Sequence, residues 1–327
     1  MADAVATQPH NLPLHISREK CAGKTYIVTG ANIGLGLEAS KHLVAVGAAK
    51  VIMAVRNLSA GEAAKASIEA ETGTSGVAEV WALDLASYDS VKAFAKRAVT
   101  ELERIDALIE NAGVAAFDRT MAEGHLLNIT VNVISTLLLA VLLLPKMSED
   151  AKKFGIVPHI VLVSSGVGFD VKADWDIIKG DPLVEVDNEE HKGLKMYPLS
   201  KLVETIATRQ LAALAPVSRT GVVMNIVCPG SCKTELGRHA PPAFRKMLQE
   251  SKEKYGRTAE DGSRTLLFGA VAGKESHGRF LDSCRIADDI VPSWATDEEG
   301  QRSQKILWDA VASELESVQP GCVKATL

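Results

Sequence analysis

No basic block interrupts this sequence, and 36 lysines and arginines against 41 acids leave a net charge of −5. A nucleic-acid partner is therefore not expected, because binding a phosphate backbone needs a clustered positive field. A disulfide scaffold is missing too. The five cysteines are odd in number and scattered; only Cys228 and Cys232 lie close together. No histidine or cysteine cluster completes a metal set around that pair, so no metal is expected, and the thiols read as buried or inert in a reducing compartment. Residues 1–24 hold no apolar run of the kind that opens a secretory signal. The apolar run at 131–144 is too short to cross a bilayer and is broken by Asn132, Ser135 and Thr136. It reads as a helix buried within the protein. Repeats, low-complexity tracts and glycine-rich linkers are absent as well. These exclusions leave a soluble, cytoplasmic protein of one domain. Its 46% hydrophobic and 24% charged residues supply a core that needs no staple, and 327 residues suit one large α/β unit.

Short apolar runs at 25–29, 50–55, 77–83, 107–109, 160–163 and 222–227 alternate with segments of helical spacing. Those helices are expected at 37–46, 59–71, 88–102, 122–146 and 199–215, then at about 241–254, 259–272 and 296–317 beside a short strand at 279–281. The runs are continuous rather than alternating in polarity, which marks strands covered on both faces. Strict alternation with right-handed crossovers predicts a doubly wound parallel sheet of Rossmann type, in three α/β/α layers, with ligands at the carboxyl ends of the strands. The expected organisation is a polar tail over 1–22, one domain over 23–320 and a short tail over 321–327. Residues 166–196 break the rhythm. Between 170 and 193 they carry eight acids against three lysines, and they read as a surface insertion near the site.

Thr29-Gly-Ala-Asn-Ile-Gly-Leu-Gly36 joins the first strand to the first helix. Glycines there let the backbone approach a diphosphate, and the helix N-terminus adds free N–H groups and a positive dipole end. The spacing is GxxxGxG rather than GxGxxG. Gly30, Asn32, Ile33, Gly34, Leu35 and Gly36 are the expected cradle. Arg56 follows the second strand, where an NAD-binding chain would carry an acid for the ribose hydroxyl. A guanidinium at that place suits a 2′-phosphate, so NADP(H) is the expected cofactor.

Tyr197-Pro-Leu-Ser-Lys201 sets a phenol and an ammonium four residues apart, on one face of a helix. The ammonium favours the phenolate, and such a pair can exchange a proton with a carbonyl or an alcohol. Tyr88 and Lys92 share the spacing but have no chemistry around them and read as solvated. His42, on the first helix, reads as a surface residue.

With these motifs go Asp84-Leu85 after the third strand, Asn111-Ala112-Gly113 after the fourth, and Asn132 in the long helix. Ser165 follows the fifth strand, and Pro229-Gly230 with Thr234 follows the sixth. In order and spacing the stretch from about Gly23 to Ser317 resembles the short-chain dehydrogenase/reductase family. Its tail is similar to the retinol-dehydrogenase-like branch, which includes reductases of fungal polyketide and terpenoid pathways. The resemblance implies that Asp84 holds the adenine amino group, that the Asn-Ala-Gly segment backs the cofactor and that Thr234 meets the carboxamide. It also agrees with a chemical reading of the residues. Ser165 would bond the substrate oxygen, and Tyr197 would exchange the proton. Lys201 would lower the phenol's pKa and hold the ribose, and Asn132 would kink its helix and hold a water. Hydride would pass directly between cofactor and substrate carbon.

Two departures stand out: Glu110 replaces the first of two asparagines, and 32 residues separate Ser165 from Tyr197. Residues 235–257, with Pro241-Pro242, Phe244 and Met247, are expected to close as a lid over an apolar carbonyl or alcohol substrate. The 137–144 helix face reads as core or as the seam of a homodimer or homotetramer. A nucleotide-sensing regulator without chemistry, and a dehydratase or epimerase, are the competing readings.

Overall fold

The computed structural model describes residues 5–193 and 195–327. Each apolar run forms the expected strand: β1 (Thr25–Thr29), β2 (Lys50–Val55), β3 (Ala78–Ala82), β4 (Ala107–Glu110), β7 (His159–Val163), β8 (Val223–Cys228) and β9 (Phe280–Asp282). A hairpin of β5 (Met121–Ala122) and β6 (His125–Leu126) and an edge strand β10 (Arg285–Ile286) were not expected. In the main sheet the order is β10-β9-β8-β7-β4-β1-β2-β3, parallel throughout except for β10. Tyr26 of β1 lies opposite Val51 of β2 on one side and Ala107 of β4 on the other. The chain thus reverses its direction of winding between β1 and β4, and a crevice opens there at the carboxyl ends.

One face of the sheet is covered by the helices Tyr88–Glu101, Thr136–Phe154, Met196–Leu214 and Glu298–Val318. Gly34–Ala45, Leu58–Thr72 and Ala259–Gly269 cover the other face. The sheet is buried on both sides, which is why its strands read as unbroken apolar runs.

Several expectations are corrected. The polar N-terminal segment is docked rather than trailing. Leu12, Ile16 and Cys21 are buried, and the Asp261 carboxylate accepts from the Asn11 and Leu12 amides at 3.0 and 2.6 Å. The C-terminal segment is also tied down, because the Cys322–Thr326 helix lies on Thr136–Phe154 and Thr326 Oγ1 donates to the Val141 carbonyl at 3.0 Å. That helix helps close the leucine face: Leu137, Leu138, Leu139 and Leu143 are fully buried within the chain, so the face is core and not a seam. The long apolar helix starts later and runs further than expected. Leu127–Phe154 spans 28 residues, enough to cross a membrane by length and composition, but 89% of its apolar window is buried inside the fold. The acidic insertion is only superficially acidic. Its short helices Lys172–Ile178 and Pro182–Asp187 turn Trp175, Ile178, Leu183 and Val186 into the main core.

Arg257 is the largest fully buried side chain, and it joins three segments. Its guanidinium donates to the Pro9 carbonyl at 2.8 Å, the Pro229 carbonyl at 2.7 Å and Ser283 Oγ at 2.6 Å. Replacing it with methionine keeps the volume but strips these charge-assisted bonds, and should cost about 3 kcal/mol of unfolding free energy in urea.

Candidate active site

The crevice is built from the first turn outward. Gly30 sits at φ 66°, a left-handed conformation that carries the chain sharply off β1. At Gly36, an added Cβ would come within 2.6 Å of both the Gly30 carbonyl oxygen and Asn111 Nδ2, so only glycine lets helix and turn approach this closely. Helix Gly34–Ala45 starts at Ile33 with no side-chain cap, leaving its first amides for a ligand. Asn111 Nδ2 donates to the Thr29 carbonyl at 2.9 Å, and the Ala112 amide donates to Thr29 Oγ1 at 2.9 Å. The end of β4 is thereby sewn to the end of β1. Arg56 is exposed after β2, with no ion-pair partner among the described residues. One oxygen of Asp84 accepts from the Ala86 amide at 2.9 Å, which fixes the turn after β3.

Ser165 follows β7 and caps a short turn, accepting from the Val167 amide at 3.4 Å. Tyr197 and Lys201 stand on the first turns of Met196–Leu214. In the protein alone the phenol is not pulled down as the spacing predicts. Burial drives it above the ordinary tyrosine value, Glu204 and the Cys228 thiol push the same way, and a hydrogen bond with Ser165 opposes them. The Lys201 ammonium is turned to the Val163 carbonyl at 2.8 Å and to the Glu204 carboxylate at 3.0 and 3.3 Å.

Asn132 lies in a widened, π-helical stretch, Thr130–Ser135, so the expected local distortion is present. Its amide group spans the next loop: Oδ1 accepts from the Val114 amide, and Nδ2 donates to the Val114 carbonyl and Ser200 Oγ, each at 2.9 Å. This holds Gly113 beside Lys201 Nζ.

The loop after β8 closes the opposite wall. Pro229 and Gly230 are braced by Arg257, and Gln8 donates to the Ser231 carbonyl at 2.9 Å while accepting from its amide at 2.9 Å. Lys252 Nζ ties helix Pro242–Tyr255 to this loop through the carbonyls of Thr234 at 2.8 Å and Leu236 at 2.6 Å. The helix buries none of its residues, yet Phe244 meets Phe117 edge-on at 5.6 Å across the mouth.

All the residues expected to bind cofactor or act in catalysis, apart from Gly36 and Asn132, line one cavity of about 1480 Å³. Gly36 and Asn132 support it from behind. Tyr88, by contrast, is buried in the core rather than solvated as expected, while Lys92 stays partly exposed and pairs with Asp89 at 2.9 Å. His42 pairs with Glu260 at 2.7 Å at a partly exposed position. Sequence reasoning missed Gln8 and Pro9, which reach the cavity from far along the chain, and Phe117, which guards its mouth. It missed Glu204 as well, although a carboxylate three residues after Lys201 on a helix was a readable signal.

A glycine turn at the switch point of a doubly wound sheet, facing a serine and a tyrosine across one cavity, is the architecture of a dinucleotide-dependent oxidoreductase. The chain belongs to the short-chain dehydrogenase/reductase family. The family model for short chain dehydrogenases matches residues 24–176. Three fungal relatives extend the match over most of the chain. Short chain dehydrogenase/reductase dmxR8 of Cryptosporiopsis sp. is 40% identical over 92% of this chain and 93% of that protein. Short-chain dehydrogenase/reductase ffsI of Aspergillus flavipes is 38% identical over 93% and 89%. Short-chain dehydrogenase anuD of Penicillium roqueforti is 34% identical over 91% and 79%. Among solved structures, a short chain dehydrogenase of Shigella flexneri in complex with NADP has the same fold, with a TM-score of 0.61 and 22% identity over 82% of this chain and 100% of that one. One from Escherichia coli in complex with NADPH gives a TM-score of 0.61 and 22% identity over 82% and 99%.

Cys228 and Cys232 border the cavity, yet burial pushes both thiols up to about 12. At pH 8 they should react with a thiol reagent roughly a thousandfold more slowly than free cysteine, with the rate rising about tenfold per pH unit because only the thiolate attacks. Stopped-flow labelling of the folded protein checks this.

Proposed function

We propose that this protein is an NADP(H)-dependent reductase that interconverts an apolar ketone or aldehyde and its alcohol. The observation that carries the reading is the convergence of Ser165 and Tyr197 on the cavity that also holds the glycine turn. The cofactor site is supported by three features of this chain: uncapped amides at the start of Gly34–Ala45, a backbone approach at Gly36 that a Cβ would fill, and the unpartnered Arg56. Arg56 would take the 2′-phosphate, Asp84 and Leu85 the adenine side, and Asn111, Ala112, Gly113, Pro229, Gly230 and Thr234 the nicotinamide side. When bound, NADPH supplies the hydride.

In this reading Ser165 Oγ donates a hydrogen bond to the substrate oxygen and Tyr197 gives that oxygen its proton. Lys201 anchors the ribose, and Asn132 holds a water through which the phenol regains a proton from solvent. Phe117, Phe169, Met196, Phe244 and Met247 form the apolar part of the cavity, which is why an apolar substrate is favoured. Residues 235–257 act as the lid, with the Phe117–Phe244 contact as its latch. The likeness to fungal relatives supports a place in secondary metabolism.

Tyr197→Phe should lower kcat/KM for carbonyl reduction by about 10²–10⁴ while NADPH still quenches the protein's fluorescence normally. Wild-type turnover in that variant would mean the proton comes from elsewhere. Arg56→Ala should raise the KM for NADPH by about tenfold to a hundredfold and leave that for NADH unchanged. Parallel titrations of both nucleotides, run across a panel of ketones and aldehydes, decide it.

A further inference from the structure

Behind Lys201 lies a group of charges that the hydride-transfer reading does not use. Glu204, three residues on along the same helix, is almost wholly buried, and its carboxylate accepts from Lys201 Nζ at 3.0 and 3.3 Å. Glu110, at the end of β4, is equally buried, and neither of its oxygens has a hydrogen-bond partner among the described residues. An ionised carboxylate with no partner is strongly disfavoured in such a place, whereas Glu204 has the Lys201 ammonium against it. Burial raises both groups above the usual carboxylate range; the charge of Glu204 raises Glu110 further, and Lys201 opposes the rise in each. The titratable and charged groups facing this point come from three elements and one more behind them. Glu110 stands on β4, Tyr197, Lys201 and Glu204 on the helix, and Cys228 on β8 with Asp282 of β9 beyond it.

We propose that Glu110 and Glu204 together hold one proton and one negative charge, which cancels the charge of Lys201 and keeps Tyr197 a neutral phenol poised to donate. Both are positioning residues: they touch no substrate, and Glu204 bears on Tyr197 through its own charge as well as by neutralising Lys201. The count is one ammonium, one carboxyl proton and one carboxylate, so the cluster is neutral while Tyr197–OH holds its proton. In carbonyl reduction that proton moves from the phenol oxygen to the new alcohol oxygen, leaving the phenolate beside a cation already compensated. The reverse step, alcohol oxidation, needs the phenolate first and is therefore held back until the pH is high. The inference rests on the assignment of Tyr197 under Proposed function.

The test needs no turnover. The phenolate absorbance of Tyr197 is titrated as the difference between the protein and its Tyr197→Phe variant, with and without Glu204→Gln. Removing the carboxylate leaves the ammonium uncompensated, and the phenolate midpoint should fall by about one to two pH units. A midpoint within about 0.3 units of the parent overturns the proposal. Glu110→Gln mimics the protonated partner, so its midpoint should stay where it was; a fall of about one unit overturns the retained proton. Glu204→Asn replaces Glu204→Gln if circular dichroism shows the latter misfolded. Once a carbonyl substrate is in hand, the alkaline limb of kcat/KM for its reduction should move down in Glu204→Gln by the same amount. Loss of turnover in Tyr197→Phe bears on the assigned function, whereas the absorbance shift bears on the cluster alone.

Discussion

One cross-tie underlies the site. The side chain of Asn111 and the amide of Ala112 bond the carbonyl and hydroxyl of Thr29, so that the ends of β4 and β1 are held together where the winding of the sheet reverses. Parallel strands end on the same edge, and a reversal leaves a gap there. Without a tie, the glycine turn on one side and the loop to Gly113 on the other would be two independent segments. With it, a shift of either is felt by both. Asn132 repeats the device one layer further in, fixing Val114 from the long helix and thereby setting Gly113 against Lys201. The site is a chain of strand ends fastened to one another.

Part of the polar interior of this chain serves that fastening. Helices Leu127–Phe154 and Met196–Leu214 turn long apolar faces into the core, and near the crevice they carry Asn132, Ser200, Lys201 and Glu204, all buried. Burying such groups is unfavourable unless each finds a partner, and most of them do. Among the described residues, Ser135 and Thr208 on these helices lack a partner for their hydroxyls, and Glu110 lacks one for both of its oxygens, although the charges of Lys201 and Glu204 reach it.

The parallel sheet and its glycine turn were legible because both depend on local pattern. Short unbroken apolar runs that alternate with helical segments read as strands covered on two faces, and Gly30-x-x-x-Gly34-x-Gly36 between a strand and a helix reads as a close approach of backbone. Elements that failed to show have equally local reasons. The β9–β10 hairpin turns through Ser283 and Cys284, both at positive φ, where Asn-Gly would have announced it. The β5–β6 hairpin is two residues per strand, too short for any periodicity. The acidic insertion hid its apolar anchors among charges, and Trp175 alone hinted that it was buried. The tyrosine–lysine spacing placed two residues correctly but not their electrostatics. Which way an ammonium points depends on what else is buried beside it, and Glu110 arrives from a strand some 90 residues upstream.

The docked N-terminal segment carries a consequence for how the molecule comes to be made. Asn11 and Leu12 bond Asp261, some 250 positions later in the chain, and Gln8 bonds Ser231 and Tyr255. During synthesis this segment is complete long before its partners exist. The strands from β1 to β7 can pair in order as they appear, but the wall of the cavity cannot close until the last third of the chain has folded. The site is therefore the final part to become structured, and a nascent chain halted before Arg257 would present a formed glycine turn with no far wall.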